Sequence, residues 1–139
     1  MSEVNTSTSL ESVSDTVRSC TRCGLSKTRM NAVPGAGCSN PTFLFVGEGP
    51  GFNEDDKGLP FVGRAGRLLE KLLDLVPLKR EDVYITNIVK CRPPENRDPL
   101  PNEIAACRPF LETQIQLLKP RVIATLGRHS LTQFLPNAR

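Results

Sequence analysis

Apolar positions along this chain follow two alternating periods, and their order predicts its elements. Leu10, Val13 and Val17 recur at helical spacing and predict a short helix that delivers the chain to Cys20. Thr42 to Val46 is a nearly continuous apolar run between Pro41 and Gly47, the pattern of a strand buried on both faces of a parallel sheet. From Ala65 to Val76, residues Leu68, Leu69, Leu72, Leu73 and Val76 mark one face of a helix that Pro77 stops. Val83 to Val89 is β-branched and aromatic and predicts a second strand, ending at Lys90 and Cys91. Pro93, Pro94, Pro99 and Pro101 make the next stretch a rigid, extended loop. A helical pattern resumes near Asn102, but Pro109 should interrupt it, giving a short helix before Cys107 and a longer one from about Pro109. Val122 to Leu126 reads as a third strand closed by Gly127, and Arg128 to Leu135 as the start of another helix.

Strand, helix, strand, helix, strand predicts an α/β fold on a parallel sheet with right-handed crossovers. Residues 24 to 41, carrying Pro34, Gly35, Gly37 and Pro41, read as an irregular connection. Residues 1–9 are polar without an apolar period and are expected to form a disordered tail, leaving 10–139 as a single domain.

Composition narrows the class. A chain of 139 residues with 38% apolar and 24% charged residues fits one soluble globular domain. No apolar run approaches the ~20 residues that cross a bilayer, and the N-terminal stretch lacks the apolar core of a secretory signal. A cytoplasmic protein is expected. In that reducing compartment the five cysteines favour metal or catalytic use over disulfides. A net charge of +3 permits nucleic acid without indicating it.

Four of the cysteines form two separated groups, Cys20-x2-Cys23 and the singletons Cys91 and Cys107. A zinc ribbon normally presents two compact C-x2-C knuckles, which is not the spacing here. Four thiolates also hold a [4Fe–4S] cluster, and Cys107 near a helix N-terminus would place helix-dipole charge beside an anionic centre. Buried thiols acting as small hydrophobes are the alternative. Cys38 has no partner at ligand spacing and reads as a packed or surface thiol.

Gly47-Glu48-Gly49-Pro50-Gly51 follows a strand directly, where ligand sites of open α/β sheets concentrate. A proline interrupts the dinucleotide fingerprint, Glu54, Asp55 and Asp56 would repel a pyrophosphate, and the Walker lysine-serine pair is missing. The loop therefore suits backbone pressed against a neutral ring. Glu48 is then available to position water or stabilise developing positive charge, unless it is an ordinary solvated carboxylate. Phe61 offers a stacking surface for a base or a core side chain. Asn87 offers the paired donor and acceptor that a base edge requires, or a plain strand-end hydrogen bond.

Taken in order, C-x2-C, GEGPGFNED, PFVGRAG, YITNIVKCRPPENRDP and EIAACRPFLETQI resemble the iron–sulfur, or type 4, uracil-DNA glycosylases, from about Val17 to Leu135. The resemblance implies a three-layer αβα domain with a mainly parallel sheet, and base-excision repair by hydrolysis of the N-glycosidic bond of flipped-out deoxyuridine in DNA. It implies a [4Fe–4S] cluster on Cys20, Cys23, Cys91 and Cys107, and a water-activating loop Gly47 to Gly51. Within that loop Glu48 is the acidic member, and Gly49 lets the backbone approach sugar and base. Phe61 would stack on uracil, Asn87 would read its polar edge, and Glu54 would crowd the place of thymine's methyl. Arg64, Arg67, Lys90, Arg92 and Arg97 are candidates to face DNA phosphates, and a monomer is expected. The family's His-Pro-Ser loop near the C-terminus has no counterpart, and His129 falls at a helix start instead. A truncated domain lacking its last strand and helix is therefore expected, with two alternatives: a non-catalytic iron–sulfur nucleic-acid-binding fragment, or a zinc-stabilised structural domain.

Overall fold

The computed structural model describes residues 9–138, so the expected disordered tail lies, apart from Ser9, outside the described residues. Along the chain run α1 (Leu10–Arg18), β1 (Ala36–Gly37), β2 (Phe43–Gly47), α2 (Phe52–Lys57), α3 (Arg64–Asp74), β3 (Tyr84–Asn87), α4 (Pro101–Leu118), β4 (Val122–Thr125) and α5 (Arg128–Phe134). Single 3₁₀ turns fall at Gly24–Lys27, Arg80–Asp82 and Pro94–Asn96.

The sheet order is β1-β3-β2-β4. β2 pairs in parallel with both β3 and β4, and β1 adds a short antiparallel edge on β3. Side chains of a strand alternate between faces, and that alternation builds the layers. Leu44 and Val46 of β2, with Tyr84 of β3, face Leu111 and Leu118 of α4. Phe43 and Phe45, with Ile85, face Leu69 and Leu73 of α3. The result is helix, sheet, helix, with a third apolar cluster where α1, Leu25, Val89, Cys91 and Phe110 meet. By the same alternation Asn87 falls on the α3 face of the sheet, two residues beyond Ile85. No helix of the described residues is long and apolar enough to cross a membrane.

Five expectations need correction. α4 is one helix through Pro109 rather than two. Proline deletes the hydrogen bond to the carbonyl four residues earlier, and both Pro109 and Ala105 are exposed, which leaves solvent available to the orphaned oxygen and lets the helix continue. Cys107 consequently sits inside a helix and gains nothing from a helix N-terminus. After the glycine loop comes α2, which the apolar pattern does not announce, closed by a left-handed Gly58. The connection at 24–41 contains β1, and the proline-rich loop contains a 3₁₀ turn. On α3 only part of the apolar face is covered: Leu69 is 4% exposed, whereas Leu68 is 58% exposed.

That phase is testable. Leu69→Ala should cost about 2–5 kcal/mol through the cavity it leaves. Leu68→Ala should stay within about 0.5 kcal/mol. Equal losses in urea unfolding would show that α3 presents a different face to the sheet.

Candidate active site

Parallel pairing brings the C-terminal ends of β2 and β3 to the same edge, with Gly47 directly opposite Asn87. Gly47 is where a side chain cannot be: a Cβ there would lie 2.5 Å from Asn87 Oδ1 and 2.5 Å from the Phe61 ring. The missing side chain lets the amide and the ring converge. Together with Gly49, Glu54 and Ala65 they line a pocket of about 260 Å³ that opens to solvent. Asn87 is 1% exposed, and its Oδ1 has no hydrogen-bond partner among the described residues. Native proteins leave few buried polar atoms unpaired, so an orphaned amide oxygen at a pocket wall points to a ligand.

Phe61 holds a left-handed backbone, φ 51°, which costs a bulky residue on the order of 1–3 kcal/mol. Glu54 helps to impose it. Its Oε2 accepts from the N–H groups of Val62 (2.9 Å) and Gly63 (2.8 Å), and its Oε1 from Gly51 at 3.0 Å. With three donors on two oxygens, this wall of the pocket is rigid.

Glu48 lies next door. It lines an adjoining cavity of about 390 Å³ with Gly49, Pro50, Gly51, Asn96, Arg97 and Asp98, and Gly49 belongs to both cavities. Its Oε2 accepts from the N–H of His129 at 3.0 Å. His129 Nε2 in turn lies 3.2 Å from Asp98 Oδ2. Contact with His129 is the largest influence on Asp98 and holds its carboxyl below the ordinary value, against the opposing effect of burial. Glu48, Asp98 and His129 each place one donor atom within 4.8 Å of the others, and His129 Nε2, though close to Asp98, makes no well-formed hydrogen bond among the described residues. Sequence reasoning gave His129 no contact with this loop and passed over Asp98. The start of α5 supplies the contact because β4 runs parallel beside β2.

On the other side of β3, Cys20, Cys23, Cys91 and Cys107 line one cavity of about 340 Å³, with Val17, Leu25, Phe110, Lys90 and Glu103. Cys38 is not among its lining residues. Arg29 Nη1 lies 3.2 Å from Cys91 Sγ, and the Lys90 N–H donates to Cys107 Sγ at 3.3 Å. Burial pushes the Cys107 thiol up to about 11 and raises Cys91 as well, so without a metal both stay protonated at neutral pH. A metal would deprotonate them outright.

Lys90 is 1% exposed, and its Nζ donates to Thr86 Oγ1 (2.7 Å) and Asn87 O (2.6 Å). Burial lowers its pKa to about 8, and the nearby Cys107 pulls it back up. It is therefore not a phosphate contact, contrary to expectation. A buried cation is costly unless it is paired, and Lys90 forms no carboxylate ion pair among the described residues. A tetrathiolate centre beside it would supply the negative charge, so donor set and surroundings fit a metal or cluster.

The comparisons agree with this geometry. The family model of the uracil DNA glycosylase superfamily matches residues 34–139. The chain belongs to the uracil-DNA glycosylase superfamily. It is 56% identical over 122 residues to a type-4 uracil-DNA glycosylase of Saccharolobus solfataricus, covering 87% of this chain and 56% of the relative. A type-4 enzyme of Archaeoglobus fulgidus is 51% identical over 131 residues, 92% of this chain and 65% of the relative. One of Thermotoga maritima is 52% identical over 126 residues, 91% and 66% respectively. The chain thus spans between 56% and 66% of the length of these relatives.

In this member of the uracil-DNA glycosylase superfamily the basic residues divide. Arg64 and Arg67 are exposed, and Arg92 stacks 5.4 Å over Phe52 while its Nε donates to Asn96. Arg97 is committed elsewhere, its fork closed on both oxygens of Glu103 at 2.8 Å, which corrects its expected role at phosphates. Glu103 is 4% exposed and also accepts from the Leu100 N–H at 2.8 Å. Arg97 is the main reason its carboxyl is held below the ordinary 4.5. A depressed folded pKa gives stability that is fully present above the ordinary value and is lost as pH falls through the folded one. The advantage of wild type over Glu103→Gln in urea should therefore shrink between neutral pH and about pH 3. Parallel pH profiles would remove this pair from the account.

Proposed function

We propose that this protein releases uracil from DNA by hydrolysing the N-glycosidic bond of an extruded deoxyuridine. The observation that carries the proposal is the buried Asn87 Oδ1, without a hydrogen-bond partner among the described residues, in a pocket that it lines together with an aromatic side chain. A base inside a duplex cannot reach such a site, so the nucleotide must leave the stack, at a cost of a few kcal/mol. Uracil then lies against Phe61 and turns its polar edge to Asn87. Gly49, shared by the two cavities, marks where the glycosidic bond passes from the base pocket to the sugar, and Glu48 lies on the sugar side.

As the C1′–N1 bond breaks, its electron pair leaves on uracil and positive charge grows on the sugar. Fixed dipoles and a carboxylate placed beforehand are effective at stabilising both. A water oxygen bonds C1′, and Glu48 orients the water and takes its proton. Thymine differs from uracil by one methyl, a difference a soft pocket resolves poorly. Glu54 is not soft, since three backbone N–H groups hold its carboxylate in place. Arg64, Arg67 and Arg92 are the side chains proposed to meet phosphates.

Cys20, Cys23, Cys91 and Cys107 are the residues proposed to hold a [4Fe–4S] cluster. When bound, such a centre supplies a covalent tie and a negative charge; hydrolysis asks for no electron transfer. Sequence spacing supports a cluster over a single zinc ion, because a zinc ribbon normally presents two compact C-x2-C knuckles, whereas this chain pairs one with the singletons Cys91 and Cys107. Four reduced cysteines holding such a cluster suit a reducing cytoplasm.

A single-stranded oligonucleotide carrying one deoxyuridine should yield free uracil and an abasic site. Asn87→Ala should lower that rate by about 10⁴-fold, because the base's polar edge then faces an apolar wall. An unchanged rate would take Asn87 out of the pocket, and DNA binding without product would favour a binding module. Anaerobically purified protein should be brown and contain iron and sulfide, and Cys107→Ser should lose most of the iron. A colourless protein with one zinc would contradict the cluster.

A further inference from the structure

Phe61 sits on the tight connection between α2 and α3, and its left-handed backbone needs an external restraint. Glu54 restrains one side by accepting the N–H groups of Val62 and Gly63. The other side belongs to Arg80. From the 3₁₀ turn before β3, its Nη1 donates to the Phe61 carbonyl and its Nη2 to the Pro60 carbonyl. Glu70 at 3.1 Å orients the guanidinium. Gly66 completes the cradle, since a Cβ there would lie 1.8 Å from the Phe61 oxygen. Arg80 does not line the base pocket.

We propose that Arg80 is a positioning residue of this site: its fork holds two successive carbonyls so that the Phe61 ring lies against Gly47 and Asn87, ready to stack on the base. This rests on reading the pocket as a uracil site. Two adjacent carbonyls facing one side chain are a bidentate target, which a planar guanidinium matches and a single ammonium does not. The same connection then runs through β3 to Asn87, so one short segment carries both the clamp for the stacking ring and the amide that reads the base. Glu54 and Arg80 act on opposite edges of the peptide units around Phe61, one taking the N–H groups and the other the carbonyls.

The test is a double-mutant cycle of Arg80→Ala and Phe61→Ala, read as kcat/KM for uracil release from a single-stranded oligonucleotide, below the melting point of all four proteins and normalised to iron content. Arg80→Ala should lower kcat/KM on the order of 10²-fold, the scale of a misplaced contact group. In the Phe61→Ala background it should cost nothing further, because its target is gone. Arg80→Lys, which keeps charge and bulk, should recover only part of the loss, and millimolar guanidinium should restore Arg80→Ala. Equal costs of Arg80→Ala in both backgrounds, or no cost in wild type, would overturn the proposal. A crystal structure of Arg80→Ala decides independently of activity: Phe61 should leave the left-handed region, and a ring still packed on Gly47 with positive φ would also overturn it. Absence of uracil release by the wild type would instead count against the function, and the crystal structure would still judge the clamp.

Discussion

The register of β2 against β3 is the constraint on which the rest depends. It sets Gly47 opposite Asn87 at the ends of two parallel strands, and glycine at that position lets an amide and an aromatic ring share the space that a side chain would fill. A slip of one residue would turn Asn87 to the other face of the sheet, among Leu111 and Leu118, where its polar atoms would have no use. The apolar alternation of the strands fixes that register. Leu44, Val46 and Tyr84 are nearly sealed from water against α4. The site is thus a by-product of how the core packs, with the loops adding Phe61, Glu54 and Glu48.

Charge buried behind the pocket joins the two halves of the molecule. The Lys90 ammonium holds the Asn87 carbonyl, while its backbone N–H reaches Cys107. The cysteine cavity and the Asn87 side of the pocket therefore share one residue, Lys90. A buried ammonium with no carboxylate partner among the described residues is electrostatically unfavourable, so the proposed anionic centre in the cavity would have a structural role. The proposed tie between Cys20, Cys23, Cys91 and Cys107 would also secure α1, whose Val13 and Val17 pack in the same apolar cluster.

Much of this was legible from the order of residues, for identifiable reasons. The strands announce themselves by short apolar runs bounded by proline and glycine, and GEGPG marks a site because glycines directly after a strand leave room for a ligand. Phe61 and Asn87 were singled out from residue type and position, Gly49 and Glu54 by the resemblance to the type 4 enzymes, and the structure gathers all four into one pocket. Other features were hidden because neighbours distant in sequence decide them. Nothing in VKCRPP shows that Lys90 points inward while Arg92 points out. Adjacent leucines such as Leu68 and Leu69 cannot be ranked by period alone. Pro109 looks like a helix breaker until its lost hydrogen bond is seen to face water. Arg80 left no signal because its partners are backbone carbonyls, which every residue possesses.

The central claim is that the amide of Asn87, left without a protein partner, is completed by a pyrimidine ring. The most direct measurement is a crystal structure of the protein with uracil bound. The account predicts the ring parallel to Phe61, with its polar edge hydrogen-bonded to the Asn87 amide and Glu54 beside C5. Uracil bound elsewhere, or an Asn87 amide that stays unpaired with the base in place, would contradict it.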